Sequence, residues 1–237
     1  MLKNNRGIIL IIALFFLTKL FTLFFQENVW WDSAVYVGMG KYLFSYGNSG
    51  LWEASRPLIW PLILGFFWKL GFNILFFRIL ELFFAIGCIY LAYLIAKDVF
   101  NKKVALFSAL FLAFSPTFYF FSAIMLSEIP SMFFALLSVY FFINKRYFLA
   151  GLFSGFAFMA RFLQLFLFMA LFFILLLNLK NRKIFFKNSI NLLIGFFIVA
   201  IPYLTFNYTT YSNIFYPFIL QNFLTKNTGF IFHQPLW

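Results

Sequence analysis

Long apolar runs separated by short polar intervals, several of them clusters of lysines and arginines, recur along this chain, and no other feature limits its fold as strongly. The first, Gly7 to Phe25, is long enough at about 1.5 Å per residue to cross a hydrocarbon layer of about 30 Å as one helix. The expectation is an all-α, polytopic membrane protein. Composition agrees: 65% of the 237 residues are hydrophobic and 26% aromatic, more apolar surface than a soluble domain hides. The 43 phenylalanines meet lipid as leucines would and carry no function of their own. A net charge of +12 would point to nucleic acid in a soluble protein. Here the basic residues sit between apolar runs as a topology signal, so no nucleic-acid partner is expected. Cys88 lies inside an apolar run, and there is no CxxC and no disulfide framework.

Lys3 and Arg6 put the N-terminus inside. A first outer loop, 26–73, then holds a surface helix from Ser33 to Tyr46, ended by Gly47, Asn48 and Gly50. Pro57 to Leu70 is short and broken by Pro61 and Gly65, and reads as juxtamembrane or re-entrant. Further crossings are expected at Ile74 to Ala96, Val104 to Phe121, Ser131 to Ile143 and Ser189 to Phe206. Tyr147 to Leu179, at roughly 50 Å as one helix, is too long for one crossing and reads as a hairpin with Arg161 at its outer tip. Two crossings there keep Lys180, Arg182, Lys183 and Lys187 inside with Lys97, Lys102, Lys103, Lys145 and Arg146. The result is about seven transmembrane helices in a single unit, 1–237, with a second outer loop at 121–130 and a polar outer segment at 207–237. Four of the six acids, Glu27, Asp32, Glu53 and Glu128, then share the outer face.

Trp30 to Pro61 is the long interval in the first half that is not simply apolar, and it carries the candidate chemistry. Asp32, just beyond a membrane helix, stands where a polar acceptor approaches from water and a lipid-linked donor from the bilayer. It reads either as a base taking a proton from an acceptor hydroxyl or as the cap of the surface helix. Tyr36 lies beside it as a substrate contact. Glu128, in SEIP, reads as a helix start with Pro130 in the first turn, or as a second carboxylate that shares an acceptor or a divalent cation with Asp32. His233 is the single histidine and the acids form no spaced cluster, so metal use stays open. Arg161, between two apolar stretches, offers a fork of donors suited to a polyprenyl phosphate or snorkels to headgroups. Arg56 before Pro57 is a second candidate for the phosphate. Arg78 and Glu81, spaced i and i+3, are expected to form an intramembrane ion pair. Asn207-Tyr208-Thr209 matches the N-glycosylation pattern.

In order and spacing, WWDSAVYVGMGKYL, RPLIWPLIL, SPTFYFFSAIMLSEIPSMFF and GLFSGFAFMARF resemble the GT-C superfamily of membrane glycosyltransferases, in particular its protein O-mannosyltransferase and aminoarabinose transferase branch. The resemblance implies a catalytic acid at Asp32, the Arg-Pro element at Arg56 and Pro57, the second-loop acid at Glu128 and a basic residue after a Gly-rich helix at Arg161. It also implies inverting transfer from a polyprenyl-phosphate sugar, with the lipid phosphate as leaving group. Two departures stand out: Ser33 occupies the place where many members carry a second acid, and the chain ends at Trp237, where the family's helical module is normally followed by further helices.

The expected function is transfer of a sugar from a polyprenyl-phosphate donor to a lipid or protein acceptor at the outer face of the cytoplasmic membrane. One alternative is a non-catalytic or split subunit, or a fragment, whose partner subunit supplies the missing C-terminal part. The other is a transporter, which would place ionisable groups near mid-membrane and often show related halves; here only Lys19, Arg78 and Glu81 look intramembrane, and no internal repeat is present.

Overall fold

The computed structural model describes residues 6–23, 29–177 and 182–232; Glu27, Lys180 and His233 lie outside them. Among the described residues the chain forms eleven α-helices and no strand. In order they are α1 (Arg6–Leu23), α2 (Trp31–Phe44), α3 (Ile59–Lys69), α4 (Ile74–Val99), α5 (Lys102–Phe114), α6 (Pro116–Phe121), α7 (Glu128–Ile143), α8 (Tyr147–Ala160), α9 (Leu165–Leu177), α10 (Arg182–Tyr211) and α11 (Tyr216–Phe232). The all-α expectation holds. The count of seven spans does not follow from helix length: among the described residues only α1, α4 and α10 are both long and apolar enough to cross a membrane, while α3, α7, α8 and α9 are shorter apolar helices.

Helix boundaries follow local chemistry. The side chain of Asn73 accepts a hydrogen bond from the Phe76 backbone and starts α4. The side chain of Asn101 does the same for Lys103 and Val104 at the start of α5, satisfying N–H groups that have no partner within the helix. Pro116 opens α6, where a missing N–H costs nothing. The expected break at Arg161 is present: α8 stops at Ala160, Arg161 is extended, and a 3-10 turn at Phe162–Gln164 leads into α9. The sequence places the last crossing at Ser189 to Phe206; α10 extends it at both ends, from Arg182 to Tyr211. Asn207 thus lies on a helix and is fully buried, which removes it as a glycan acceptor in this fold.

Three apolar clusters hold the helices together. Ile8, Phe15 and Leu23 of α1 pack with Leu82, Ala85, Ile89 and Tyr93 of α4 and with Ala105, Ala109 and Ala113 of α5. A second cluster joins α8, α9 and α10 through Phe158, Phe168, Leu192 and Phe196, with Phe168 and Phe196 stacked at 4.0 Å between ring centroids. The third surrounds Trp60 and Leu64 of α3 with Tyr36, Phe77 and the segment Ile124–Leu126. Leu10, Leu17 and Phe21 of α1 are more than 60% exposed, the pattern of a helix whose outer side meets lipid.

Two crossings depend on glycine. A Cβ on Gly151 of α8 would lie 2.0 Å from the Leu192 carbonyl oxygen, and one on Gly195 of α10 would lie 2.1 Å from that of Phe148. The two backbones are in direct contact, the arrangement small residues permit between apolar helices. Gly40 of α2 and Gly65 of α3 make the equivalent approach, where a Cβ on Gly65 would lie 2.4 Å from the Gly40 carbonyl oxygen. This explains why α2 is not a one-sided surface helix: Val35 through Gly40 are all buried, because Gly38 and Gly40 admit Leu51 and α3 on faces that a side chain would block. Gly195→Val should therefore separate α8 from α10 and destabilise the protein by about 2–3 kcal/mol, read as a lowered Tm in detergent; an unchanged Tm would contradict the crossing.

Candidate active site

Asp32 lies in the first turn of α2. The cap reading does not hold: Trp30 is the N-cap residue and no side chain caps the helix. The Asp32 carboxylate instead accepts a 2.6 Å hydrogen bond at Oδ1 from Nη2 of Arg56. A carboxylate near a helix N-terminus is also favoured by the helix dipole. Arg56 sits in the turn before α3, and its Nε donates to Oε1 of Glu53 at 3.0 Å. The Ser55 hydroxyl donates to the same oxygen at 2.8 Å. Arg56 thus joins Asp32 and Glu53, with its guanidinium 5.4 Å from the centroid of the Tyr36 ring. Burial alone would lower the Arg56 pKa; the hydrogen bond to Asp32, with Tyr36 and Glu53 nearby, outweighs it and holds the group above its ordinary value. Arg56 is a permanent cation.

Glu128 begins α7 and Arg161 follows α8, and the two meet at 2.8 Å between Oε1 and Nη1. Each is about one-third exposed. Sequence reading placed both residues at helix ends on one face; their pairing required the packing of α7 against α8. A Ser131 hydroxyl on α7 also accepts from Nε2 of Gln164 at 3.2 Å, tying the 3-10 turn after Arg161 to the start of α7.

Both ion-pair groups open on one cavity of about 850 Å³. Its lining includes all five residues that the sequence pointed to: Asp32, Tyr36, Arg56, Glu128 and Arg161. The Tyr36 and Ser127 hydroxyls, also in the lining, are 3.0 Å apart. The lining also includes apolar residues, Phe162, Leu163, Leu165 and Phe166 with Phe218 and Leu224 of α11, and Gln221 and Asn222 add amides. A lining that combines charged and apolar side chains suits a ligand with a polar head and a hydrocarbon chain. The α11 contribution was missed because 207–237 reads as a polar segment, and Glu53 and Ser127 were missed because each is one polar residue among several in its loop.

A divalent cation between Asp32 and Glu128 gains no support. Each carboxylate already faces an arginine, and among the described residues no group of three or more His, Cys, Asp or Glu side chains gathers to hold a metal ion.

The first loop is fixed at a distant point as well. The Trp52 indole N–H donates to the Tyr211 hydroxyl at 2.7 Å, so the end of α10 supports the segment that carries Glu53 and Arg56.

No curated protein and no solved structure matches the chain. The family described as dolichyl-phosphate-mannose-protein mannosyltransferase matches residues 55–206. That interval contains Arg56, Glu128 and Arg161; Asp32 and Tyr36 precede it and join those residues through the fold. With well over half of its length matched, and with apolar helices and a charged cavity of this form, the chain belongs to the dolichyl-phosphate-mannose-protein mannosyltransferase family of GT-C-type membrane glycosyltransferases.

Proposed function

We propose that this protein transfers a sugar from a polyprenyl-phosphate donor to an acceptor hydroxyl at the outer face of the membrane. The observation that carries the reading is that two arginine–carboxylate groups line one cavity together with apolar side chains. Asp32 is the base. Arg56 engages its Oδ1 and orients it, while Oδ2 takes the proton from the acceptor hydroxyl. The acceptor oxygen attacks the anomeric carbon, the bond from that carbon to the phosphate oxygen breaks, and the polyprenyl phosphate leaves with the electron pair, inverting the anomeric centre.

Arg161 stabilises the charge that develops on the leaving phosphate, since a guanidinium fork suits phosphate oxygens. Its partner Glu128 is partly exposed to the cavity, where it orients the acceptor once phosphate occupies Arg161. The apolar residues of α9 and α11 receive the first prenyl units. The family's description, with its dolichyl-phosphate-mannose donor and protein acceptor, favours mannose and a protein hydroxyl.

Recognition of the phosphate can be measured separately from transfer. Radiolabelled polyprenyl-phosphate mannose should bind the purified chain and be displaced by unlabelled polyprenyl phosphate far better than by the prenyl alcohol of equal length. Equal displacement by the alcohol would contradict a phosphate site.

A further inference from the structure

Glu81 lies two turns into α4 and is completely buried. Besides its i, i+3 spacing from Arg78, its two carboxylate oxygens accept hydrogen bonds from consecutive backbone N–H groups, those of Met125 and Leu126. A buried carboxylate is costly unless such bonds satisfy it, and one within a membrane helix is by default a functional group.

Met125 and Leu126 belong to the segment 122–127 that joins α6 to α7. Met125 has φ +66°, a left-handed conformation that non-glycine residues keep only where surrounding contacts enforce it. Those contacts come from three sides. Glu81 takes the N–H groups, Trp60 Nε1 donates to the Met125 carbonyl oxygen at 3.0 Å, and the Ser33 hydroxyl donates to the Ile124 carbonyl oxygen. The next two residues are Ser127, which meets the Tyr36 hydroxyl, and Glu128, which pairs with Arg161. Ser33 also stands directly after Asp32, so the same segment is tied to the helix that carries the other charged group.

We propose that Glu81 is a positioning residue for sugar transfer: its buried carboxylate fixes the backbone of 122–127 so that Ser127 and Glu128 face the cavity in register with Asp32. The proposal rests on the glycosyltransferase reading for its consequence, but its physical step, the hold on the segment, is independent of it.

Glu81→Gln separates the two. The amide has nearly the same volume but offers one carbonyl oxygen and an NH2 group that cannot accept from an N–H. Hydrogen exchange followed by mass spectrometry should show the peptide covering 122–127 exchanging at least tenfold faster in Glu81→Gln, with α8 and α10 unchanged. Transfer kinetics should show kcat lowered at least tenfold, with the donor KM within twofold of the parent and part of the rate recovered in Glu81→Asp. Unchanged exchange in 122–127 would overturn the proposal, as would a parental transfer rate or faster exchange throughout the protein. If Glu81→Gln does not fold, the parent protein decides: the Met125 and Leu126 amides, which donate to Glu81, should exchange at least tenfold slower than the exposed loop amides of Gly47 to Gly50. Equal exchange overturns the hold. A parent protein that transfers no sugar removes the glycosyltransferase reading and with it the positioning role, while the exchange result still reports whether Glu81 holds the segment.

Discussion

Asp32→Asn should lower the rate of sugar transfer by about a hundredfold to ten-thousandfold, the span typical of losing a general base, with donor binding nearly unchanged. The asparagine keeps an oxygen for the Arg56 hydrogen bond, so the turn before α3 should keep its form. What it loses is the oxygen that accepts the proton. Arg56 does not replace that function, because its guanidinium stays charged. The exposed part of the Asp32–Arg56 pair contributes little to stability, on the order of 1 kcal/mol or less, so the variant should remain folded and a large rate effect would belong to chemistry. A variant that transfers at the parental rate removes Asp32 from the reaction.

Arg161→Ala carries the second large effect. The charged hydrogen bonds it would remove from a bound phosphate are worth about 1.5–3 kcal/mol, or roughly a tenfold to 150-fold rise in the donor dissociation constant. Arg161→Lys should recover only part of this, since an ammonium supplies charge without the two parallel donors of the fork. The loss should appear in donor binding first and in the rate at saturating donor to a smaller extent. The two variants therefore differ in kind: Asp32→Asn leaves the lipid bound and unreacted, whereas Arg161→Ala leaves it weakly bound. Donor binding by Arg161→Ala equal to that of the parent would mean that phosphate is held elsewhere.

What the chain showed in advance, and what it did not, follows from the range of the interactions. The break at Arg161 was legible because a run of that length cannot be one crossing, and an arginine in MARFLQ marks where it stops. The start of α7 at Glu128 was legible because Pro130 is at home in a first turn. α2 was expected within two residues of its ends, because Gly47 and Gly50 follow it with positive φ. These are local signals. The ends of α10 were not legible: Lys183 and Lys187 at one end and the polar Asn207 to Tyr211 at the other look like loop, yet the helix continues through both.

The partners of charged residues lay further out of reach. Asp32 reads as a cap because an aspartate at a helix start usually is one. Arg56, distant in sequence, claims it only once α3 has packed on α2 across Gly40 and Gly65. The i, i+3 spacing of Arg78 and Glu81 is a local signal; that two backbone N–H groups more than forty residues away also take the Glu81 oxygens depends on the path of 122–127. Local sequence signals thus placed helix ends, and tertiary packing decided what each charged residue touches.

Sugar transfer in this cavity is the activity to measure first. Its most direct test offers radiolabelled polyprenyl-phosphate hexoses, mannose first, to the purified chain in lipid vesicles with a membrane extract as acceptor, and follows label from the lipid phase to the acceptor fraction. The expected result is time-dependent transfer that consumes the donor, releases polyprenyl phosphate and fails in Asp32→Asn. Donor that stays intact with the parent protein, although bound, would contradict it.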